Sequence, residues 1–305
     1  MSTATRDRPP LTPRNWAGWS AVGLLWLLGK TPQRLALALS VPLGTLLGRL
    51  LGGRRRIAAR NIERCFPELS PARRAVLLRD HFRSLARMVF EVAWSWSAPP
   101  ERLREMGHIE GSEHVLEPLS QGRGVLLITA HFTCLEIGGR ITSWVLPAAA
   151  AMYRPLRNPV MEWYQNRSRA KYTGMIDQKD LRKAARFLKN GGALWYAPDQ
   201  DFGADRSVFV PFFGIRTATL KTTEHLVRLT GCAVVPMFPG YDAGRRAYSV
   251  TFHPALDNFP SGDMVEDLGR ISALTEKHAR KFPDQYWWIH RRFKTRPEGE
   301  PPFYD

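Results

Sequence analysis

The chain has 305 residues, 44% of them hydrophobic, enough to bury a sizeable core in one large domain or two small ones. Its 44 Lys and Arg against 28 Asp and Glu give a formal charge of +16, which points to an anionic partner: nucleic acid, acidic membrane lipid or an acidic protein. Zinc-finger spacing, an RNP-like aromatic motif and an isolated basic tail are all missing from the sequence, so nucleic acid is set aside in favour of a membrane surface and an acidic substrate.

Residues 1–14 are polar and rich in Pro and Arg, the composition of a mobile tail. Asn15 to Gly29 then carries no charge and contains Trp16, Trp19 and Trp26; after Lys30 to Arg34 a second uncharged run spans Leu35 to Gly48. Each run alone is short of the roughly 20 residues that a spanning helix needs. The tryptophans suit a headgroup interface, and Arg49, Arg54, Arg55, Arg56 and Arg60 suit an anionic leaflet. Residues 15–56 are therefore read as a membrane-anchoring segment, either one tilted span running past Lys30 or an interfacial, re-entrant pair of helices. An ordinary core helix pair explains the tryptophans and arginines less well. Ala36-Leu37-Ala38 imitates a signal-peptide cleavage site, but apolar sequence continues beyond it. The remainder, 57–305, is read as one catalytic domain.

Ser70-Pro71 is a helix start, an N-cap followed by Pro at the first helical position. Leu77, Leu78, Phe82, Leu85, Met88, Val89 and Val92 carry an apolar stripe to about Trp96, where Pro99-Pro100 stops the helix. The centre of the chain is Gly124-Val-Leu-Leu-Ile-Thr-Ala-His131-Phe-Thr-Cys-Leu-Glu136. Val125 to Ile128 reads as a buried strand, and a helix follows His131. That puts an imidazole at the carboxyl end of a strand, where open α/β sheets place their sites. Glu136 can orient the ring, which makes His131 a general base. The competing structural reading is a capping box, with Thr133 as N-cap and Glu136 returning to the cap's backbone N–H.

Beyond this point strands are expected near 149–153, 193–197, 233–238 and 248–252. Helices are expected near 161–172, 181–190, 219–229 and 264–282, with Gly191 and Gly231 as helix-ending glycines. Such alternation predicts an α/β sandwich around a mostly parallel sheet. Cys65, Cys134 and Cys232 are far apart and form no Cys-x-x-Cys, which argues against a disulfide framework or a cysteine zinc site. No His-Glu-x-x-His, Gly-x-Ser-x-Gly or phosphate-binding glycine loop is present, so no metal or cofactor is expected.

His131-x-x-x-x-Glu136 after an apolar strand resembles the signature of the glycerolipid acyltransferase superfamily. Tyr153-Arg154-Pro155, Trp195-Tyr-Ala-Pro-Asp199-Gln-Asp201-Phe-Gly203, Val208-Phe-Val-Pro-Phe-Phe-Gly214 and His290-Arg-Arg-Phe-Lys-Thr-Arg-Pro-Glu298 are similar to motifs of the late acyltransferases of lipid A biosynthesis. The likeness runs from about Trp16 to about Pro301. It departs at Arg216-Thr-Ala-Thr-Leu220-Lys221-Thr-Thr223, where Leu220 and Lys221 interrupt the family's threonine-rich run.

The resemblance implies a glycerolipid-acyltransferase-like α/β fold with an N-terminal membrane-associated helical segment, in the bacterial inner membrane and facing the cytoplasm. It implies transfer of a fatty acyl chain from acyl-acyl carrier protein to the 3-hydroxyl of an (R)-3-hydroxyacyl chain on an anionic lipid A precursor, with His131 as base and Glu136 orienting it. Backbone N–H groups at the start of the helix after His131 are the expected oxyanion donors. Arg154, Asp199, Asp201, Arg291 and Arg292 are candidates for binding substrate. Phe90, Trp94 and Trp96 belong to the core or else line an acyl pocket. Two rivals are a lysophosphatidate-type acyltransferase using the same dyad and a non-catalytic basic membrane-binding protein.

Overall fold

Val125-Leu-Leu-Ile128 has parallel neighbours on both sides, and all four of its side chains are sealed from solvent. The structure, a computed structural model, describes residues 9–146 and 148–304. In chain order it contains α1 Trp16–Gly29, α2 Gln33–Leu50, α3 Gly52–Cys65, α4 Pro71–Ser97, α5 Pro100–Arg104, β1 Gly107–Glu110, α6 Glu113–Ser120, β2 Val125–Ile128, α7 Leu135–Thr142 and β3 Ala149–Tyr153. There follow α8 Pro159–Arg169, β4 Gly174–Asp177, α9 Leu181–Lys189, β5 Ala193–Tyr196, β6 Ser207–Phe212, β7 Ile215–Leu220, α10 Thr222–Thr230, β8 Ala233–Asp242, β9 Ala247–Phe252 and α11 Met264–Lys281.

Seven strands form one sheet in the order β1-β9-β8-β2-β5-β3-β4, with every pairing parallel except β8 with β9. Successive residues of β2 point to opposite faces. Val125 and Leu127 join Phe82 and Phe90 of α4 and Ile137 of α7, while Leu126 and Ile128 join residues of α9, α10 and α11. Each sealed leucine or isoleucine stabilises the fold by about 1.5–3 kcal/mol. The result is the expected α/β sandwich.

The expected strands and helices are present, with two additions to the sheet, β1 and β4, that alternation did not reveal. Both are four-residue strands at the sheet's edges. One boundary is corrected. The helix expected from Thr219 begins at Thr222, because Ile215–Leu220 pairs with Ser207–Phe212 in an antiparallel hairpin. Gly191 and Gly231 both take positive φ at their helix ends.

Helix α4 starts as its sequence demands, the Ser70 hydroxyl accepting a hydrogen bond from the Arg73 N–H at 3.3 Å. It supports α1 and α2. The chain does not form one continuous helix past Lys30: α1 ends at Gly29 and α2 begins at Gln33. The turn between them is fixed by Trp94 of α4, whose indole N–H donates to the Thr31 carbonyl at 3.1 Å, and by Arg102, which donates to the Gly29 carbonyl at 2.9 Å. Helix α2 lies so close to α4 that a Cβ at Gly44 would stand 2.7 Å from the Arg83 Cα.

The outward faces of α1 and α2 are apolar and exposed, at Trp16, Leu24, Leu27, Leu35, Leu46 and Leu50 among others. Among the described residues no single helix is long and apolar enough to cross a membrane; α2 and α3 pass that test only as a pair bent by 100°. Helix α3 runs through the expected boundary at 56/57, burying Ala58, Ile62 and Cys65 in the main core. Residues 1–8 of the expected tail lie outside the described residues. Pro10 is tied down, its carbonyl accepting from the Asn15 amide at 3.2 Å and from the Trp19 indole at 3.0 Å.

Candidate active site

β2 and β5 are adjacent and parallel, with Ile128 beside Tyr196. The Thr129 N–H extends that pairing to the Tyr196 carbonyl at 3.0 Å. His131 and Asp199 lie equally far beyond the paired ends, so the register alone brings them together. Asp199 Oδ1 stands 2.5 Å from His131 Nδ1, and Oδ2 accepts the His131 backbone N–H at 2.9 Å. Two bonds from one carboxylate fix both the ring and the backbone that carries it. Among the described residues Nε2 has no protein partner, and the imidazole side chain is 30% exposed. A second clamp holds the segment from the other side: the Trp287 N–H donates to the His131 carbonyl at 3.0 Å, and the Thr133 N–H to the Gln285 carbonyl at 2.8 Å.

The electrostatics follow from this geometry. Burial pulls the imidazole's pKa down, but the charge and hydrogen bond of Asp199 outweigh it and leave His131 above its ordinary value. Burial pushes Asp199 up, but the paired imidazole, the His131 N–H and the charge of Arg292 bring it down to about 2. The carboxylate therefore stays ionised at neutral pH, as an orienting partner must. His290 approaches the same place, its Nε2 accepting the Asp201 N–H at 3.3 Å. Burial, the largest influence on it, holds His290 down at about 4, so it is neutral here.

Glu136 does not take its expected place beside the ring. Its Oε1 accepts from Arg169 Nε at 2.9 Å, Trp96 Nε1 at 2.6 Å and the Tyr172 hydroxyl at 3.0 Å, and its Oε2 pairs with Arg169 Nη2. Burial favours the neutral acid, but the Arg169 guanidinium and these donors hold Glu136 below the usual carboxylate range. The capping box does not form either, since the α7 N-cap is Cys134 with no side-chain cap bond. Glu136 is instead the joint at which the start of α7 is fastened to α4 and α8.

Four backbone N–H groups around the α7 start, those of His131, Thr133, Leu135 and Gly138, already serve protein acceptors. Any oxyanion donors from this stretch therefore come from its other amides.

The remaining candidates separate by burial. Arg154 emerges at the end of β3, on the same edge of the sheet, exposed and with no ion-pair partner among the described residues. Asp201 is filled internally: it accepts from the Gly203 N–H at 3.0 Å and from the Thr295 N–H and hydroxyl, both at 2.7 Å. These bonds tie the loop after β5 to the C-terminal segment. Asp199 is likewise occupied by His131. Arg292 is 5% exposed, its Nη1 donating to the Ala218 carbonyl at 2.5 Å, and it lines a small cavity behind Asp199. Its charge adds to the lowering of Asp199. Arg291, its neighbour, is exposed and packs over the Tyr304 ring. Phe90 and Trp94 lie in the core, and Trp96 is buried with its N–H on Glu136. Among the described residues no group of three or more His, Cys, Asp or Glu side chains could hold a metal ion.

Residues 4–295 match the family model described as bacterial lipid A biosynthesis acyltransferase. A lipid A biosynthesis lauroyltransferase of Escherichia coli (strain K12) is 36% identical, the match covering 96% of this chain and 96% of the relative. A palmitoleoyltransferase of lipid A biosynthesis from the same organism is 36% identical over 98% of this chain and 97% of its own. A myristoyltransferase is 28% identical over 94% and 90%. A solved 1-acyl-sn-glycerophosphate acyltransferase from Thermotoga maritima is 16% identical with a TM-score of 0.40, covering 82% of this chain and 98% of that one, a likeness too loose to bear on substrate. The chain is an acyltransferase and belongs to the bacterial lipid A biosynthesis acyltransferase family.

Proposed function

We propose that the protein transfers a fatty acyl chain from acyl-acyl carrier protein to the 3-hydroxyl of an (R)-3-hydroxyacyl chain on a lipid A precursor. The observation that carries the reading is His131, with Nδ1 clamped by an ionised carboxylate and Nε2 open at the sheet's carboxyl edge. Nδ1 keeps its proton toward Asp199, so the ring presents the lone pair of Nε2. The acceptor's oxygen attacks the thioester carbonyl while Nε2 takes its proton. The tetrahedral intermediate collapses, the C–S bond breaks, and the imidazolium returns its proton to the departing thiolate. A secondary alcohol is a poor nucleophile at neutral pH, and a positioned base of this kind contributes about 10²–10⁴ in rate. Asp199 stabilises the imidazolium throughout, and the charge of Arg292 adds a smaller contribution to keeping Asp199 ionised. Glu136 holds α7, and with it the His131 segment, at a fixed offset from α4 and α8. Arg154 remains the exposed candidate for an anionic group of either substrate.

The exposed apolar faces of α1 and α2 and the basic residues at the start of α3 support attachment to an anionic membrane surface. In this reading the enzyme works at the cytoplasmic face of the inner membrane, where the carrier protein delivers acyl chains. The test is to incubate purified protein with a panel of acyl-acyl carrier proteins and a tetra-acylated precursor carrying its 3-deoxy-octulosonic acid sugars, and to read the product by mass. One acyl mass gain, lost in His131→Ala, is the expected outcome. No gain with any donor, or an equal gain in the variant, overturns the reading.

A further inference from the structure

Where α2 turns into α3 a groove of about 950 Å³ opens, lined by Leu50, Leu51, Arg54, Arg56, Arg60 and Arg291. No carboxylate is among its lining residues. Two of its arginines are held in place by main-chain carbonyls: Arg54 donates to Ile289 at 3.2 Å and Arg60 to Phe303 at 3.4 Å. Arg60 also meets Glu63 at 3.2 Å, whereas Arg56 and Arg291 have no acidic partner among the described residues. Four like charges gathered in one concavity repel one another and raise the local positive potential, a cost that a bound anion reverses. Arginine forks match phosphate oxygens in pairs.

Two further features narrow the occupant. One rim is apolar, with Leu50 69% and Leu51 40% exposed, and it continues the exposed face of α2. The other wall is the C-terminal segment, whose opposite side borders the candidate active site: Trp287 bonds His131, and His290 accepts from Asp201. The groove thus joins a lipid-facing surface to the flank of the reactive histidine.

We propose that this groove seats a phosphate of the acceptor amphiphile, with acyl chain running over Leu50 and Leu51 and the sugar directed along the 287–291 segment. The proposal rests on the acyl-transfer reading above and adds to it a headgroup subsite remote from the dyad. The occupant is the acceptor itself rather than bulk anionic phospholipid or the carrier protein.

The test uses the full chain in detergent micelles, with Arg56→Gln, Arg291→Gln and their combination. Two acceptors are compared, the phosphorylated precursor and the same precursor after phosphatase treatment. A control neutralises the exposed Arg182 and Arg186 of α9. Each single variant is expected to raise KM for the phosphorylated acceptor about tenfold, the loss of one charge-assisted hydrogen bond. The KM for the dephosphorylated acceptor should be unmoved, kcat should stay within about twofold, and the control should match wild type. An equal rise in KM for both acceptors overturns the proposal. A rise in KM for the acyl carrier donor instead assigns the groove to that protein. Lost binding to phosphatidylglycerol vesicles with acceptor KM unchanged assigns it to the bulk membrane. Should wild type fail to turn over at all, equilibrium binding of the two acceptors to the same proteins still decides the groove, and the failure belongs to the reaction alone.

Discussion

Asp199→Asn separates the two carboxylates that sequence and structure nominate as the histidine's partner. The change keeps size and preserves an acceptor for the His131 backbone N–H. It places an amide where a charged oxygen now faces Nδ1 at 2.5 Å. If the amide N–H turns to that nitrogen, Nδ1 must accept, the proton moves to Nε2, and the base is lost. The depression of Asp199 to about 2 measures how firmly its charge is held, and two pKa units correspond to about 3 kcal/mol. Part of that stabilisation comes from the imidazole, and a transition state that places positive charge on the ring loses that part. Activity is therefore expected to fall about 10²–10⁴-fold. The pH profile carries the sign. The base acts when neutral, and Asp199 raises the His131 pKa, so the acid limb of kcat/KM in wild type lies above that of an ordinary imidazole. Without the charge, burial alone acts and the limb moves to lower pH even as the plateau drops. Steady-state acylation of the precursor over a pH series, with apparent Tm as the folding control, reads both effects. A variant that keeps a third of wild-type activity with an unshifted limb would falsify the Asp199 pairing.

Glu136→Gln strands the Arg169 guanidinium in a largely buried site, so an apparent Tm loss of several degrees is expected from about 3–5 kcal/mol of destabilisation. Any activity left should keep the wild-type acid limb; a limb moved as in Asp199→Asn assigns Glu136 the orienting role after all. Arg87→Ala removes the partner of Glu91, which is fully buried and also accepts from the Tyr248 hydroxyl at 2.9 Å, and should cost about 3–5 kcal/mol by chemical denaturation. An effect below about 1 kcal/mol means that water reaches the pair. Gly44→Val forces α2 from α4 and should release protein from anionic vesicles or lower its apparent Tm; retention of both contradicts the close packing. Arg292→Met removes a buried positive charge beside the Asp199–His131 pair, and its loss favours the protonated imidazole, so the acid limb should move to higher pH while KM for the acceptor holds. A KM effect alone would return Arg292 to substrate binding.

The strand leading to His131 was legible because four consecutive buried aliphatic residues and a following helix leave few alternatives. The partner was harder, and the reason is physical. Sequence distance made Glu136 the natural choice, but a residue on the first turn of α7 faces wherever the helix is rotated, and packing turned it toward Arg169 and Trp96. Asp199 lies 68 positions from His131, beyond the reach of any local rule. A signal did exist. Both residues follow a short apolar strand by the same interval, as Ile128-Thr-Ala-His131 and Tyr196-Ala-Pro-Asp199. Had β2 and β5 been taken as neighbours, the pair would have followed from register. Strand order is set by the whole sheet, which one strand's composition does not encode. Arg291 and Arg292 make the same point: adjacent in sequence and alike in charge, one is exposed over Tyr304 and the other buried behind Asp199.

Helix α4 links the two halves of the proposed function. Trp94 donates its indole N–H to the Thr31 carbonyl in the turn between α1 and α2, and Trp96 donates its own to Glu136 at the start of α7. Two residues apart on a helix, the side chains leave on nearly opposite faces. A single turn of α4 thus grips the apolar hairpin on one side and the segment bearing His131 on the other. The helix is 27 residues long and is packed against α1, α2, α3 and α7. In the proposed function the exposed apolar face of that hairpin is the part that rests on lipid, and an amphiphile arriving from there would meet it first. Because the same helix carries both attachments, packing rather than a linker fixes the distance between the apolar hairpin and the reactive nitrogen, and on the proposed function that distance would set the height of the nitrogen above the lipid.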